Sequence, residues 1–285
     1  MDIEELAKRA GKAYEEKNYV EAARLFYEGA EAGDGWCQYY MGQCYQYGWG
    51  VEKDMSYAAH YYAKSCNNDF NLAWGALGEC YLYGLGVEKQ VDLAYKYCKY
   101  GASLGDPYAM NHLGTMYVNG EGIERNFEEA FKWFKEAVAC QNAPRIVYLH
   151  LGLLYLNGRG TTADYKLAAE NIRIAAERGL TQAKSVLGFC YLHGYGVPKE
   201  PARAYGLFVI AAKEGDVEAM FNLGKMYLNG IGVNEKDRDK ALYFLEMAKE
   251  HGHQKASELY DYVISNSWMG ILANKIPEWV MKILS

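Results

Sequence analysis

No run of this 285-residue sequence approaches the roughly 18 consecutive apolar residues of a membrane-spanning helix, so a membrane partner is not expected. Met1 to Lys17 is studded with acids and bases and has no apolar core segment, so that stretch does not read as a cleavable secretory signal. The 7 cysteines are an odd set with no pairing frame, which favours a reducing compartment. The expected location is therefore cytoplasmic, with export by a route that needs no cleavable signal as the alternative. A basic stripe is also missing, and the net charge of -6 gives no reason to expect nucleic acid. There is no Gly-x-Ser-x-Gly, no Ser-x-x-Lys, no His-Glu-x-x-His and no P-loop. Carboxylates are plentiful but fall mostly in turns and on solvated helix faces. The expectation is a protein that is not an enzyme, with no cofactor and no metal.

What the sequence does contain is periodicity. Hydrophobic residues make up 51%, a normal globular share, and 27 residues are tyrosine. A tyrosine carries a large apolar ring and one hydroxyl that seeks a partner, which suits half-buried positions between helices. One frame recurs six times. An apolar residue and a glycine are followed three residues on by tyrosine, and then by Gly-x-Gly. The signature glycines are Gly42, Gly78, Gly114, Gly152, Gly188 and Gly224, and the tyrosines are Tyr45, Tyr81, Tyr117, Tyr155, Tyr191 and Tyr227. The spacing is 36 residues except between the third and fourth copies, where it is 38.

Each position has a physical reading. A glycine inside a helix gives up about 1 kcal/mol of helix stability, which is tolerable where a neighbouring helix must come close. The Gly-x-Gly supplies a left-handed residue that ends the first helix, helix A. Asp54, Asn126, Asp164 and Asp237 each stand four residues before an alanine and are placed to cap a second helix, helix B. Pro201 falls at a first helical position, where its missing N–H is harmless. Helix B carries Ala58, Ala94, Ala130, Ala168, Ala204 and Ala241, and it ends at Asn67–Asn68 or at Gly105, Gly179, Gly215 and Gly252.

Stretches such as "AMNHLGTMYVNGEGIERNFEEAFKWFKEAV" and "AMFNLGKMYLNGIGV" resemble the Sel-1-like repeat (SLR) family, a relative of the tetratricopeptide repeat. The resemblance covers about residues 36–252 as six repeats. It implies an all-α, right-handed superhelical α-solenoid of helix-turn-helix repeats, with helix A of each repeat on the concave side. Residues 1–34, with Tyr14, Tyr19, Ala22 and Phe26, read as a tetratricopeptide-like hairpin that caps the array. Residues 253–285 read as an incomplete repeat followed by an apolar tail split by Pro277. Three readings of that tail stay open: a cap on the last hairpin, a docking segment or self-association surface centred on Trp268 and Trp279, and an interfacial membrane helix.

Several tempting features have plainer explanations. A phosphate-binding glycine loop lies between a strand and a helix and occurs once, whereas this element lies between helices and recurs. Cys44, Cys80 and Cys190 share one repeat position and read as small apolar packing residues. Cysteine-rich secreted relatives bridge the end of helix B to the next helix A, but this chain has Cys66 at the first place and Trp74 near the second, so that pattern does not fit. The pairs His251/His253 and His112/His150 lack the further ligands a metal would need.

If helix A faces inward, the positions three before and one after the signature glycine are expected on the concave face. They are Tyr39 and Gln43, Gly75 and Glu79, Asn111 and Thr115, Leu149 and Leu153, Ser185 and Phe189, and Phe221 and Lys225, with Tyr47 and Tyr83 extending the set. This aromatic, amide and aliphatic composition suits a protein or peptide partner. The family resemblance implies an adaptor or scaffold. The alternatives are a small-molecule-binding or hydrolytic protein like the cysteine-rich relatives, and a structural unit that self-associates through its tail.

Overall fold

A computed structural model describes residues 2–266. Among them the chain forms fifteen α-helices and no strand. They are α1 (Ile3–Glu15), α2 (Tyr19–Glu31), α3 (Gly35–Tyr47), α4 (Met55–Asn67), α5 (Asn71–Tyr83), α6 (Val91–Ser103), α7 (Pro107–Asn119) and α8 (Phe127–Ala139). There follow α9 (Arg145–Asn157), α10 (Tyr165–Glu177), α11 (Thr181–His193), α12 (Pro201–Lys213), α13 (Val217–Asn229), α14 (Arg238–Glu250) and α15 (Gln254–Ser265). Odd-numbered helices from α3 to α13 are the A helices of the frame, and the even-numbered ones are the B helices. The chain divides into two compact units, one of Met1–Val147 with Arg159–Thr161, the other of Tyr148–Gly158 and the chain from Thr162 on.

In the first unit, α1 pairs with α2, α3 with α4, α5 with α6 and α7 with α8, and each hairpin packs on the next. In the second unit, α11 pairs with α12 and α13 with α14, with α10 against α11, α12 against α13 and α15 closing on α14. This is the stacked-hairpin plan of a helical repeat protein, in which no hairpin buries its apolar face alone.

The turn between A and B is built the same way in all six copies. The first glycine of Gly-x-Gly is left-handed, as at Gly48 (φ 74°), and ends helix A. The signature tyrosine then turns its carbonyl to the residue that caps helix B: Tyr45 O accepts from Asp54 N at 3.0 Å and Tyr191 O from Glu200 N at 2.8 Å. The expected caps are in place. Asp54 accepts from Ser56 N and Tyr57 N, Asn126 from Glu129 N, Asp164 from Leu167 N and Asp237 from Lys240 N. Pro201 is at the first position of α12.

The signature glycine is where helix B leans on helix A. A Cβ at Gly42 would lie 2.6 Å from the Tyr62 ring, and one at Gly114 would lie 2.5 Å from the Phe134 ring. The residue that fills the gap stands four after the helix B alanine and is Tyr62, Cys98, Phe134, Ile172, Phe208 or Leu245. The second glycine of the turn has a different task. It sits against the first residue of the preceding repeat's helix B, so a Cβ at Gly196 would overlap the Tyr165 carbonyl oxygen. The six pairs run Gly50 on Tyr19, Gly86 on Met55, Gly122 on Val91, Gly160 on Phe127, Gly196 on Tyr165 and Gly232 on Pro201.

The 38-residue interval has a local cause. Residues 140–144 link α8 to α9, whereas only 104–106 link α6 to α7. All seven cysteines are free. Burial pushes the thiols of Cys44 and Cys80 up to about 12 and that of Cys190 to about 11, as packed apolar residues require.

Candidate protein-binding groove

On the first unit the A helices present one face each, set by the 3.6-residue period. Along α3 that face carries Tyr39, Gln43, Gln46 and Tyr47; along α5, Leu72, Ala76 and Glu79; along α7, Tyr108, Asn111 and His112. These residues, with Tyr62 from α4 and Pro144 and Ile146 at the chain's arrival on α9, enclose a depression of about 210 Å³. Five of the sequence-predicted residues meet here: Tyr39, Gln43, Tyr47, Glu79 and Asn111.

A chain of polar contacts organises the floor. Tyr62 crosses α3 over Gly42 and its hydroxyl donates to Gln46 Oε1. The Gln46 amide bonds to the Glu79 carboxylate. Gln43 Nε2 donates to the Tyr39 hydroxyl at 2.8 Å. Burial raises the Glu79 pKa above the ordinary carboxylate value, and the Gln46 bond opposes that rise. Tyr47 and Tyr108 are also raised, first by burial; the negative charge at Glu79 adds to this at Tyr47, and those at Asp106 and then Glu79 add to it at Tyr108.

Exposure is not as expected at the position three before the signature glycine. Tyr39, Asn111, Leu149, Ser185 and Phe221 are only 1–7% exposed, and Gly75 is buried. The reason is the residue that caps the next A helix. Tyr39 packs on Phe70 with ring centres 5.2 Å apart, and Phe221 stacks on His253 at 4.4 Å. Gly75 N donates to Asp106 Oδ2 at 3.0 Å, and a Cβ at Gly75 would lie 2.7 Å from Ala109 N. The position serves the seam between successive repeats. Its neighbours one after the glycine are half-buried: Gln43, Glu79, Thr115, Leu153, Phe189 and Lys225.

The other expected residues are scattered. Tyr83 is exposed and lies beside His112, with ring centres 6.4 Å apart, outside the depression. Thr115 turns its hydroxyl to Asn111 O at 2.9 Å. In the second unit, Phe189 packs on His193 at 4.4 Å, and Lys225 lies 5.4 Å over the Phe221 ring while lining a separate depression of about 90 Å³. Trp268 and Trp279 lie outside the described residues. Gln46, Tyr62, Tyr108 and His112 line the depression without having been anticipated. Gln46 was within reach, since it stands seven after Tyr39 on the same helical face.

Asp106 is wholly buried at the α5–α7 seam. It accepts from the N–H groups of Tyr108, Ala109 and Gly75, yet burial outweighs these bonds and pushes its carboxyl up to about 6. A folded-state pKa above the unfolded value of 3.8 means that the native state holds its proton more tightly. The contribution to stability is therefore largest below about pH 4, falls as pH rises through the window to about 6, and is level above it, by up to about 3 kcal/mol. Urea unfolding of the native chain and of Asp106→Asn, from pH 3.5 to 7.5, is expected to show this slope in the difference between the two stability curves, because the other groups that titrate in the window, His150 and Glu79 among them, contribute alike to both proteins. The slope is the readout, since the variant also loses a bond to Gly75 N.

Seven stretches of the chain, 5–34, 37–70, 73–106, 107–142, 147–180, 182–216 and 217–253, match the Sel1 repeat family model. The chain belongs to the Sel1 repeat family. Among solved structures it is similar to a Sel1 repeat protein from Oxalobacter formigenes, at 29% identity over 85% of this chain and 96% of that one, with a TM-score of 0.71. It is also similar to a protective antigen of uropathogenic Escherichia coli displaying an SLR fold, at 28% identity and a TM-score of 0.67. That alignment covers 92% of this chain but 55% of the antigen, so the chain spans about half of that protein's length. A Sel1 repeat protein from Klebsiella pneumoniae, 19% identical over 72% of this chain and 99% of that one with a TM-score of 0.50, shares the fold. No curated protein matches. The first Sel1 match covers α1 and α2, whose connecting residues 16–18 lack the double glycine. Sel1 repeats build a tetratricopeptide-like scaffold that generally mediates protein–protein interaction and is typically not catalytic. Among the described residues no helix is long and apolar enough to cross a membrane.

Proposed function

We propose that this Sel1 repeat protein is a non-catalytic adaptor whose A helices hold a segment of a partner protein. The observation that carries the reading is the depression on the first unit, where three successive A helices line one surface, α3 and α7 with tyrosines and side-chain amides and α5 between them with Leu72, Ala76 and Glu79. Tyr47 and Tyr108, 55% and 43% exposed, supply rigid amphipathic area of the kind that anchors interfaces. At about 210 Å³ the depression falls short of the roughly 300 Å³ at which small-molecule pockets begin, which favours one anchoring side chain over a substrate. The hairpin α1/α2 is proposed as the end cap of the array.

Tyr39 and Phe221 are packed into seams, so alanine there would damage the scaffold, and the test falls on the exposed residues. Affinity capture is expected to recover a partner with the native chain and with Tyr243→Ala, on the exposed face of α14. Tyr47→Ala and Tyr108→Ala should each weaken that binding about tenfold or more. A partner held equally by all four proteins would remove the groove from consideration.

A further inference from the structure

We propose that the depression between α3, α5 and α7 receives a basic side chain of the partner, a lysine ammonium or an arginine guanidinium, with Glu79 as its counter-ion. This rests on the groove reading above and names the chemistry of what enters.

Among the described residues that line the depression there is one carboxylate, from Glu79, and one histidine, His112, but no lysine or arginine. The Gln46 side chain favours the charged form of the Glu79 carboxylate, and among the described residues no lysine or arginine forms an ion pair with it. Its negative charge is felt at Tyr47, Tyr62, Tyr83 and Tyr108, whose ionisation it opposes. Three classes of side chain can be compared in that field. An acidic group would be repelled by Glu79. An apolar group would strip the carboxylate of water and give nothing back. A cation would restore what burial removes. The walls agree with the floor, because Tyr47 and Tyr108, the exposed tyrosines of the lining, carry aromatic rings of the kind that attract ammonium and guanidinium groups. The hydroxyl of Tyr62 is committed as a donor to Gln46, and that of Tyr39 accepts from Gln43, so neither is aimed at an anion. The net charge of -6 draws basic segments toward the whole chain.

The test uses a phage-displayed random peptide library panned on the full chain, with selected peptides resynthesised with blocked termini. The native chain should select a lysine or arginine at one fixed position. Replacing that residue by norleucine should weaken binding about tenfold on the native chain and less than twofold on Glu79→Gln, the pattern of a coupled pair. Peptides that bind and are weakened by Tyr47→Ala or Tyr108→Ala, but carry no fixed basic residue, would overturn the cation and leave the groove standing. So would a norleucine penalty of the same size on Glu79→Gln. If no peptide is selected, or if binding ignores both tyrosine variants, the groove reading fails and this inference fails with it.

Discussion

Gly196→Ala is expected to destabilise the chain by about 3 kcal/mol or more, far beyond the usual effect of adding one methyl group. Two costs combine there. The residue is left-handed, with φ at +70°, and its Cβ would overlap the carbonyl oxygen of Tyr165 at the start of α10. Neither party can step aside, because the carbonyl belongs to a helical backbone and the glycine to a closed turn. Two control glycines in the same unit separate the terms. Gly215 has φ +92° and nothing within 4 Å of its Cβ site, so Gly215→Ala should cost only the conformational part, about 1–2 kcal/mol. Gly206, inside α12 and exposed, also has open space around it, so Gly206→Ala should stabilise by about 0.5–1 kcal/mol. Urea midpoints of the three variants give the order directly. Equal losses at Gly196 and Gly215 would mean that the turn is not seated against the preceding helix.

The contact between Gly114 and Phe134 should give the second large effect. Phe134 is 1% exposed and fills the space left by the missing Cβ of Gly114. Truncation to alanine leaves a ring-sized cavity and is expected to cost about 3–5 kcal/mol. Gly114→Ala gains about 1 kcal/mol in helix propensity but drives a methyl into the ring, for a net loss of about 1–2 kcal/mol. In the double variant the methyl enters space the ring has vacated. Its loss should therefore fall below the sum of the single losses by about 1 kcal/mol or more. A double-mutant cycle by urea unfolding measures that coupling, and strict additivity would show that the two positions do not share one space.

These two contacts mark where sequence reasoning succeeded and where it stopped. The caps Asp54, Asn126, Asp164 and Asp237 were legible because capping is local: a side chain and an N–H three residues on suffice. The need for close approach at Gly114 was legible too. Its partner was not, because Phe134 reaches it across a hairpin, and the spacing of residues along a single helix does not connect the two. The lining of the depression was half legible for a related reason. Helical spacing identifies which residues share a face, and so Gln43, Glu79 and Tyr47 were found. Spacing does not say which edge of that face the next A helix will cover, and so Tyr39 and Phe221 were expected in solvent when Phe70 and His253 cover them. Tyr108 escaped because it lies in the first turn of α7, ahead of the two repeat positions used as a template.

The six half-buried residues one step past the signature glycine are an amide, an acid, a hydroxyl, an aliphatic, an aromatic and a base, namely Gln43, Glu79, Thr115, Leu153, Phe189 and Lys225. Seams and turns are carried by other positions. The surface chemistry of each repeat can therefore be rewritten one letter at a time while the scaffold beneath keeps its shape, which leaves such a protein free to acquire new binding preferences without having to relearn how to fold.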